Sequence, residues 1–340
     1  MWQVIGQGKI LSLLDYSLKA NSIAHAYLLV GPRHVGKGTL ALNLAQALNC
    51  DGPELPCGQC RSCQRILEGK HADVTPIGLD SRTEISIDDI RGLQHIANLP
   101  PYEGKCKVFI IDDAEFLSTE AANSLLKILE EPPPKVVWLL LAAEEERLLP
   151  TIISRCQRLE LKPVPSEQVQ EILINAYNVE ADKAKLLARL CHGRLGWALL
   201  ALANEDILEQ RSQRIARLVS LANAGLEQRF AYAQELANQF TQDRRGGAEI
   251  IELWLDWWRD LMLIKNGCQE VILNVDYEST LKEQARALSL SEIEEFLTRL
   301  CLLQEEISKN VNPRLAWEWL MLNLPRRQNP KHSRKLKIKD

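Results

Sequence analysis

The stretch "AYLLVGPRHVGKGTLALNLAQALN", residues 26–49, passes from five apolar residues through a glycine-bearing turn into a helical pattern. Gly31, Gly36 and Lys37 match the phosphate-binding loop G-x-x-x-x-G-K-[ST]. The match falls where it is credible, after a strand and at the opening of a helix. In such a loop, backbone amides point at phosphate oxygens and the helix N-terminus adds its positive end. Lys37 would neutralise β- and γ-phosphate charge. The next position should carry a hydroxyl for magnesium, and here it is Gly38. Thr39 follows one residue later, rotated by ~100° on a helix. The alternative is a plain glycine turn joining strand to helix.

Further along, "KVFIID" (107–112) and "VVWLLLA" (136–142) also read as buried parallel strands, and "QRLEL" (157–161) as a last one. Between them lies "STEAANSLLKILEE", opened by a Ser118–Thr119 cap and stopped by Pro132–Pro134; the "LEEPPP" run reads only as its end. Alternating strand and helix predicts an α/β fold with a parallel sheet of phosphate-loop type. After "KPVPS" the pattern turns helical. The expected domains are 1–164, carrying an insert at 50–63; a small helical domain, 165–204; an all-α domain, 205–326; and a basic mobile tail, 327–340. Trp254, Trp257 and Trp258 sit at helical spacing and read as a packing face rather than a base-stacking platform.

The acids that would complete a nucleotide site end the second strand. Asp112 is placed to hold magnesium through water, and Asp113 stands where an ATPase carries a glutamate that positions the attacking water. Aspartate shortens that reach by a methylene, and a misplacement on the order of 1 Å can cost ~100-fold in rate. Nucleotide binding stays open on these residues, while hydrolysis looks weakened twice. Two acids in a solvated loop are the other reading.

Cys50, Cys57, Cys60 and Cys63 follow C-x6-C-x2-C-x2-C. Four thiolates make a closed tetrahedral set, the form zinc takes in structural sites, so zinc as a staple is the expectation and four reduced thiols the alternative. With nine cysteines in all and no basic flank leading into an apolar N-terminal run, a reducing, cytoplasmic setting is expected. The longest apolar run is far below the ~20 residues of a membrane helix, so no membrane partner is expected. The 340-residue chain has a formal net charge of −4, which argues against coating nucleic acid by bulk electrostatics.

In this order, phosphate loop, cysteine insert, acidic strand end, "NSLLKILEEPP" (123–133) and "SRC" (154–156) resemble the bacterial DNA polymerase III clamp-loader family of the AAA+ class. "SIAHAYLLVGP" (22–32), "SIDDIRGL" (86–93) and "NVNPRLAWEWLMLNL" (310–324) extend the resemblance over nearly the whole chain. It implies an AAA+ domain, a lid and a collar. It also implies a ring shared with gamma/tau and delta subunits that loads a sliding clamp on primed DNA, polymerisation being carried by other subunits.

The departures favour the family's delta-prime branch over its ATP-hydrolysing motor branch (gamma/tau), which is the alternative. Motor subunits carry a hydroxyl at 38, threonines where Ala142 and Ala143 precede Glu144, and an arginine where Gly196 stands. The resemblance implies that Arg155 is a finger acting in trans on a neighbour's ATP, worth a factor of ~1,000 or more. It implies little or no ATPase activity of the chain's own. A lone surface arginine is otherwise most often an ion-pair partner.

Overall fold

In the computed structural model, which describes residues 2–79, 82–242, 244–308 and 312–325, Val136–Ala142 is buried along its whole length. A strand hidden on both faces must alternate its side chains between two cores. Val136, Trp138, Leu140 and Ala142 enter one; Val137, Leu139 and Leu141 enter the other.

The first part of the chain runs α1 (Gly8–Lys19), β1 (Ala26–Val30), α2 (Lys37–Asn49), α3 (Arg61–Leu67), β2 (Val74–Ile77) and α4 (Ile87–Ala97). It continues through β3 (Lys107–Ile111), α5 (Thr119–Glu130), β4 (Val136–Ala142), α6 (Pro150–Ile153) and β5 (Gln157–Glu160). The sheet order is β2-β3-β4-β1-β5, every pair parallel. Leu40, Ala41, Leu44 and Ala45 of α2 cover one face; Ile90 and Leu93 of α4 with Leu125 and Leu129 of α5 cover the other. The expectation of an α/β fold with a parallel sheet and a largely helical remainder is borne out. Ser118 caps α5 by accepting from the Ala121 N–H, as the sequence predicts.

The sequence reading has no β2. "VTPI" is short, carries Pro76 and buries little, all properties of an edge strand, where proline is tolerated.

The rest is helical: α7 (Ser166–Tyr177), α8 (Ala181–Leu190), α9 (Leu195–Ala203), α10 (Asp206–Leu221), α11 (Leu226–Gln242), α12 (Arg244–Lys265), α13 (Glu278–Ala287), α14 (Leu290–Ser308) and α15 (Pro313–Leu322). The chain divides into two units, one of residues up to Glu171 with Cys191–Leu199, the other of Ile172–Leu190 with Leu200 onward. In the second, Trp254, Trp257 and Trp258 are all buried, so their face packs inside the chain. Trp254 meets Trp317 edge-on at 6.0 Å. Arg229, 1% exposed, closes helix ends there, donating to the carbonyls of Leu221 (3.2 Å), Met321 (3.3 Å) and Leu324 (2.7 Å). Among the described residues no helix is long and apolar enough to cross a membrane. The basic tail at 327–340 and the first two residues of the 310–324 stretch lie outside the described residues.

Beside β2, the Asp73 carboxylate accepts backbone N–H bonds from Tyr102 (2.8 Å), Glu103 (2.8 Å) and Gly104 (2.7 Å), fixing the turn into β3. Burial opposes its charged form, yet these donors hold its carboxyl below the ordinary value. A depressed carboxylate pKa stabilises the fold above the unfolded value and loses that contribution as pH falls through the folded one. Asp73→Asn should therefore cost about 2–4 kcal/mol at neutral pH. Urea titrations should show the difference from wild type shrinking once pH drops below about 3.9.

Candidate functional site

Because β4 lies between β1 and β3, the C-terminal ends of these three strands open onto one place. β1 delivers Gly31 and the loop, β3 delivers Asp112 and Asp113, and β4 ends at Ala142 followed by Ala143. The Gly31 N–H closes the junction by donating to the Ala142 carbonyl at 3.2 Å. Gly36 caps α2 with a left-handed backbone, φ 110°, which brings Lys37 in as the first helical residue. Gly38 and Thr39 are exposed on the first turn of α2.

Lys37 is buried, and its Nζ donates to the carbonyls of Gly31 (2.5 Å) and Pro32 (3.1 Å). Burial pushes the ammonium below its ordinary value, opposed by the carboxylates of Glu115 and Asp112. Asp112 is exposed at its side chain, and partial desolvation at the strand end, then the neighbouring Asp113, raises its carboxyl. Asp113, held at φ 55°, accepts from Arg33 Nη2 at 2.7 Å. The residue expected to position water is thus engaged by the loop's own arginine.

Four features went unread in the sequence. Arg33 is one. Glu115, two residues beyond Asp113, is buried, and its Oε1 accepts from the Ala143 N–H at 3.1 Å. Burial raises its carboxyl. The third is the packing of Gly196, the position of the motor subunits' arginine. Its N–H donates to the His34 carbonyl at 3.0 Å. A Cβ there would lie 2.7 Å from the same oxygen, so the start of α9 rests on the loop backbone only because the residue is glycine. The fourth is Glu130, from the run read only as a helix end. α5 does end there, and the carboxylate accepts from Arg155 Nη2 at 2.7 Å. Arg155 Nη1 donates to the Thr151 carbonyl at 3.0 Å, leaving the guanidinium half-exposed beside α6, away from the loop's own bonds. Of these, only the extra acid at 115 had a visible signal.

Cys50, Cys57, Cys60 and Cys63 do come together, every Sγ within 4.8 Å of the others. The Cys57–Cys63 and Cys60–Cys50 sulfurs are 4.0 Å apart. A tetrahedron with ligand distances of ~2.3 Å asks for sulfur separations of about 3.8 Å, so the set fits a metal ion. Backbone N–H groups of Gly52, Cys57 and Cys60 point at sulfurs at 3.2–3.4 Å, as thiolates require. Donors from Gln59 and Cys60 bring the Cys57 thiol down to about 6.

The family described as DNA polymerase III, delta subunit, matches residues 6–165, and its C-terminal part matches residues 205–325. The chain belongs to the DNA polymerase III delta-subunit family. It is homologous to DNA polymerase III subunit delta′ of Bacillus subtilis (strain 168), 29% identical over 94% of this chain and 96% of that protein. It is also similar to subunit tau of the same organism, 30% identical over 93% of this chain but 59% of tau. Against Escherichia coli (strain K12) tau it is 37% identical over 64% of this chain and 34% of tau. The chain therefore spans less than two thirds of the tau relatives and nearly all of delta′. A gamma subunit-related protein from Thermotoga maritima is 19% identical over 93% of this chain and 99% of that one, TM-score 0.44.

The Gly196 contact makes a direct prediction. Gly196→Ala should destabilise the protein by about 1–3 kcal/mol through overpacking, read as a fall in thermal midpoint. Gly196→Arg should do so at least as strongly and should not by itself produce ATP turnover.

Proposed function

We propose that the chain works as the delta-prime subunit of a bacterial clamp loader. It sits in a cytoplasmic ring with gamma/tau and delta subunits, helps place the sliding clamp on primed DNA, and supplies Arg155 to ATP held by a neighbour. Residues 165–204 serve as lid and 205–326 as collar. The observation that carries this reading is the contrast between two sites on one domain. At the chain's own loop, the metal-binding hydroxyl is replaced by Gly38 and Asp113 is taken up by Arg33. Arg155, by contrast, pairs with a half-exposed Glu130, a partner more open to solvent than Asp113, which a phosphate can displace. A half-exposed ion pair is worth ~1 kcal/mol at most, far less than an arginine gains against a transferring phosphoryl group. Its planar fork suits that charge.

A motor-type ATPase is the second reading, favoured by the tau similarity. Thr39 and Asp113 would have to act in altered roles, against an exposed Thr39 and an engaged Asp113. The cysteine cluster is assigned to structural zinc through Cys50, Cys57, Cys60 and Cys63. The ion would staple the insert between α2 and α3, with no substrate position left open.

In a ring reconstituted with clamp and primed DNA, Arg155→Ala should lower steady-state ATP turnover by a factor of ~1,000 at the neighbouring site. The isolated wild-type chain should show no turnover. A silent Arg155→Ala together with turnover by the isolated chain would establish the motor reading instead. The purified chain should also carry one zinc per molecule by elemental analysis. Chelation or Cys57→Ser should release it and lower the thermal midpoint without creating or abolishing ATP hydrolysis by the isolated chain.

A further inference from the structure

Residues 51–59 have almost nothing to fold around. Among these described residues there is no helix or strand, and Pro56 alone is buried. Such a segment keeps one arrangement only if a crosslink supplies what a core does not, and a closed thiolate set does so when it takes a metal ion. Both ends of this insert reach the same feature outside it, the 98–106 loop between α4 and β3.

At the first end, the Cys50 carbonyl accepts from Lys105 Nζ, which also lies 3.5 Å from an Asp51 carboxylate oxygen. Asn49, the last residue of α2, takes the N–H groups of Lys105 (2.8 Å) and Cys106 (3.1 Å) on its Oδ1. A Cβ on Gly104 would lie 2.4 Å from that oxygen, so the turn seats there only as glycine. At the other end, Cys60 caps α3 and Cys63 lies in its first turn. Arg65, two residues on, pairs with Glu103 and donates to the Lys70 carbonyl at 2.7 Å. The outer side of the loop packs on little: Leu99 is 52% and Tyr102 87% exposed. Their placement depends on the residues that follow them, which the insert holds from two directions. Asp73 holds the same turn independently of the insert, so loss of the insert's contacts loosens the loop without releasing it.

We propose that the cysteine insert is a metal-dependent brace. Closing the four thiolates on an ion fixes Cys50 against α3, and through Lys105 and Glu103 it fixes how Leu99 and Tyr102 are presented at the surface. The inference rests on the metal assignment of the cluster and gives that metal a role beyond the insert. Coupling of this kind is reciprocal, so the loop contacts must also tighten metal binding.

The test is hydrogen exchange of the full chain, read on the peptide covering 98–106 with and without chelation, β4 serving as internal reference. An ion pair and a charge-assisted hydrogen bond are each worth a factor of a few, so chelation should speed exchange in the loop by about tenfold while β4 keeps its protection. Arg65→Ala leaves all four ligands in place, and circular dichroism confirms that it folds. It should loosen the loop about threefold with zinc still bound, and weaken zinc affinity, titrated against a chromogenic chelator, by the same factor. A loop unchanged on chelation would overturn the proposal. So would equal acceleration in β4, since the insert would then contribute only to global stability, or an Arg65→Ala chain that loosens the loop at unaltered zinc affinity. Failure of the metal assignment shows separately, as a chain that carries no zinc when purified and takes up none on titration, and the brace falls with it.

Discussion

The site depends on where β4 is inserted. A strand of seven residues, buried on both faces and paired in parallel with β1 and β3, must be flanked on each side and covered above and below. That requirement fixes which chain ends meet. The phosphate loop, the acid pair and the Ala142–Ala143 step are far apart in sequence, and β4 makes them neighbours. Phe109 of β3 stacks on Trp138 of β4 at 4.5 Å, so the same contact that fills the core sets the spacing of the acids from the loop. Clefts at the carboxyl ends of parallel strands are where such sheets bind ligands.

Within that cleft, the polar groups are turned on one another. Lys37 spends donors on the loop carbonyls, Arg33 holds Asp113, the Ala143 N–H is taken by Glu115, and the start of α9 leans on His34. A preorganised catalytic site keeps its dipoles aimed at charge that develops during reaction. Here they are aimed at charge already present. Arg155 is as exposed as Arg33 and differs in its partner: Glu130 is half-exposed where Asp113 is largely covered. The two sites on one α/β domain thus differ in how strongly each polar group is committed, and that difference supports a subunit that acts on its neighbour more than on its own nucleotide.

Most of the fold was legible because burial writes itself into composition. The strands at 26–30, 107–111, 136–142 and 157–160 and the capped helix after Ser118 follow from apolar runs and cap residues. β2 was not legible, since an edge strand carries half the hydrophobic signal and Pro76 speaks against it. The four cysteines were legible by spacing, and the structure brings them within ligand range. The partners of the charged residues were not. Arg33–Asp113 spans 80 positions and Arg155–Glu130 spans 25, and no local pattern encodes a pairing at such a distance. Arg229 is the extreme case: its character as a charged residue predicts exposure, while the carbonyls that bury it come from helix ends far apart in the C-terminal helical sequence.

Why would a loop keep its glycines after losing its hydroxyl? The packing supplies a reason independent of any ligand. A Cβ on Gly31 would lie 2.4 Å from the Leu161 carbonyl oxygen, so the junction between β1 and the end of β5 closes only with glycine there. The motif therefore has two layers under different constraints. Its glycines are held by the fold, and survive whether or not a phosphate ever enters. A hydroxyl at 38 or a longer acid at 113 would be demanded only by chemistry, and this chain carries Gly38 and Asp113 there. Glycines demanded by packing are then weak testimony for nucleotide binding, and the polar positions around them are the better guide to what the site does.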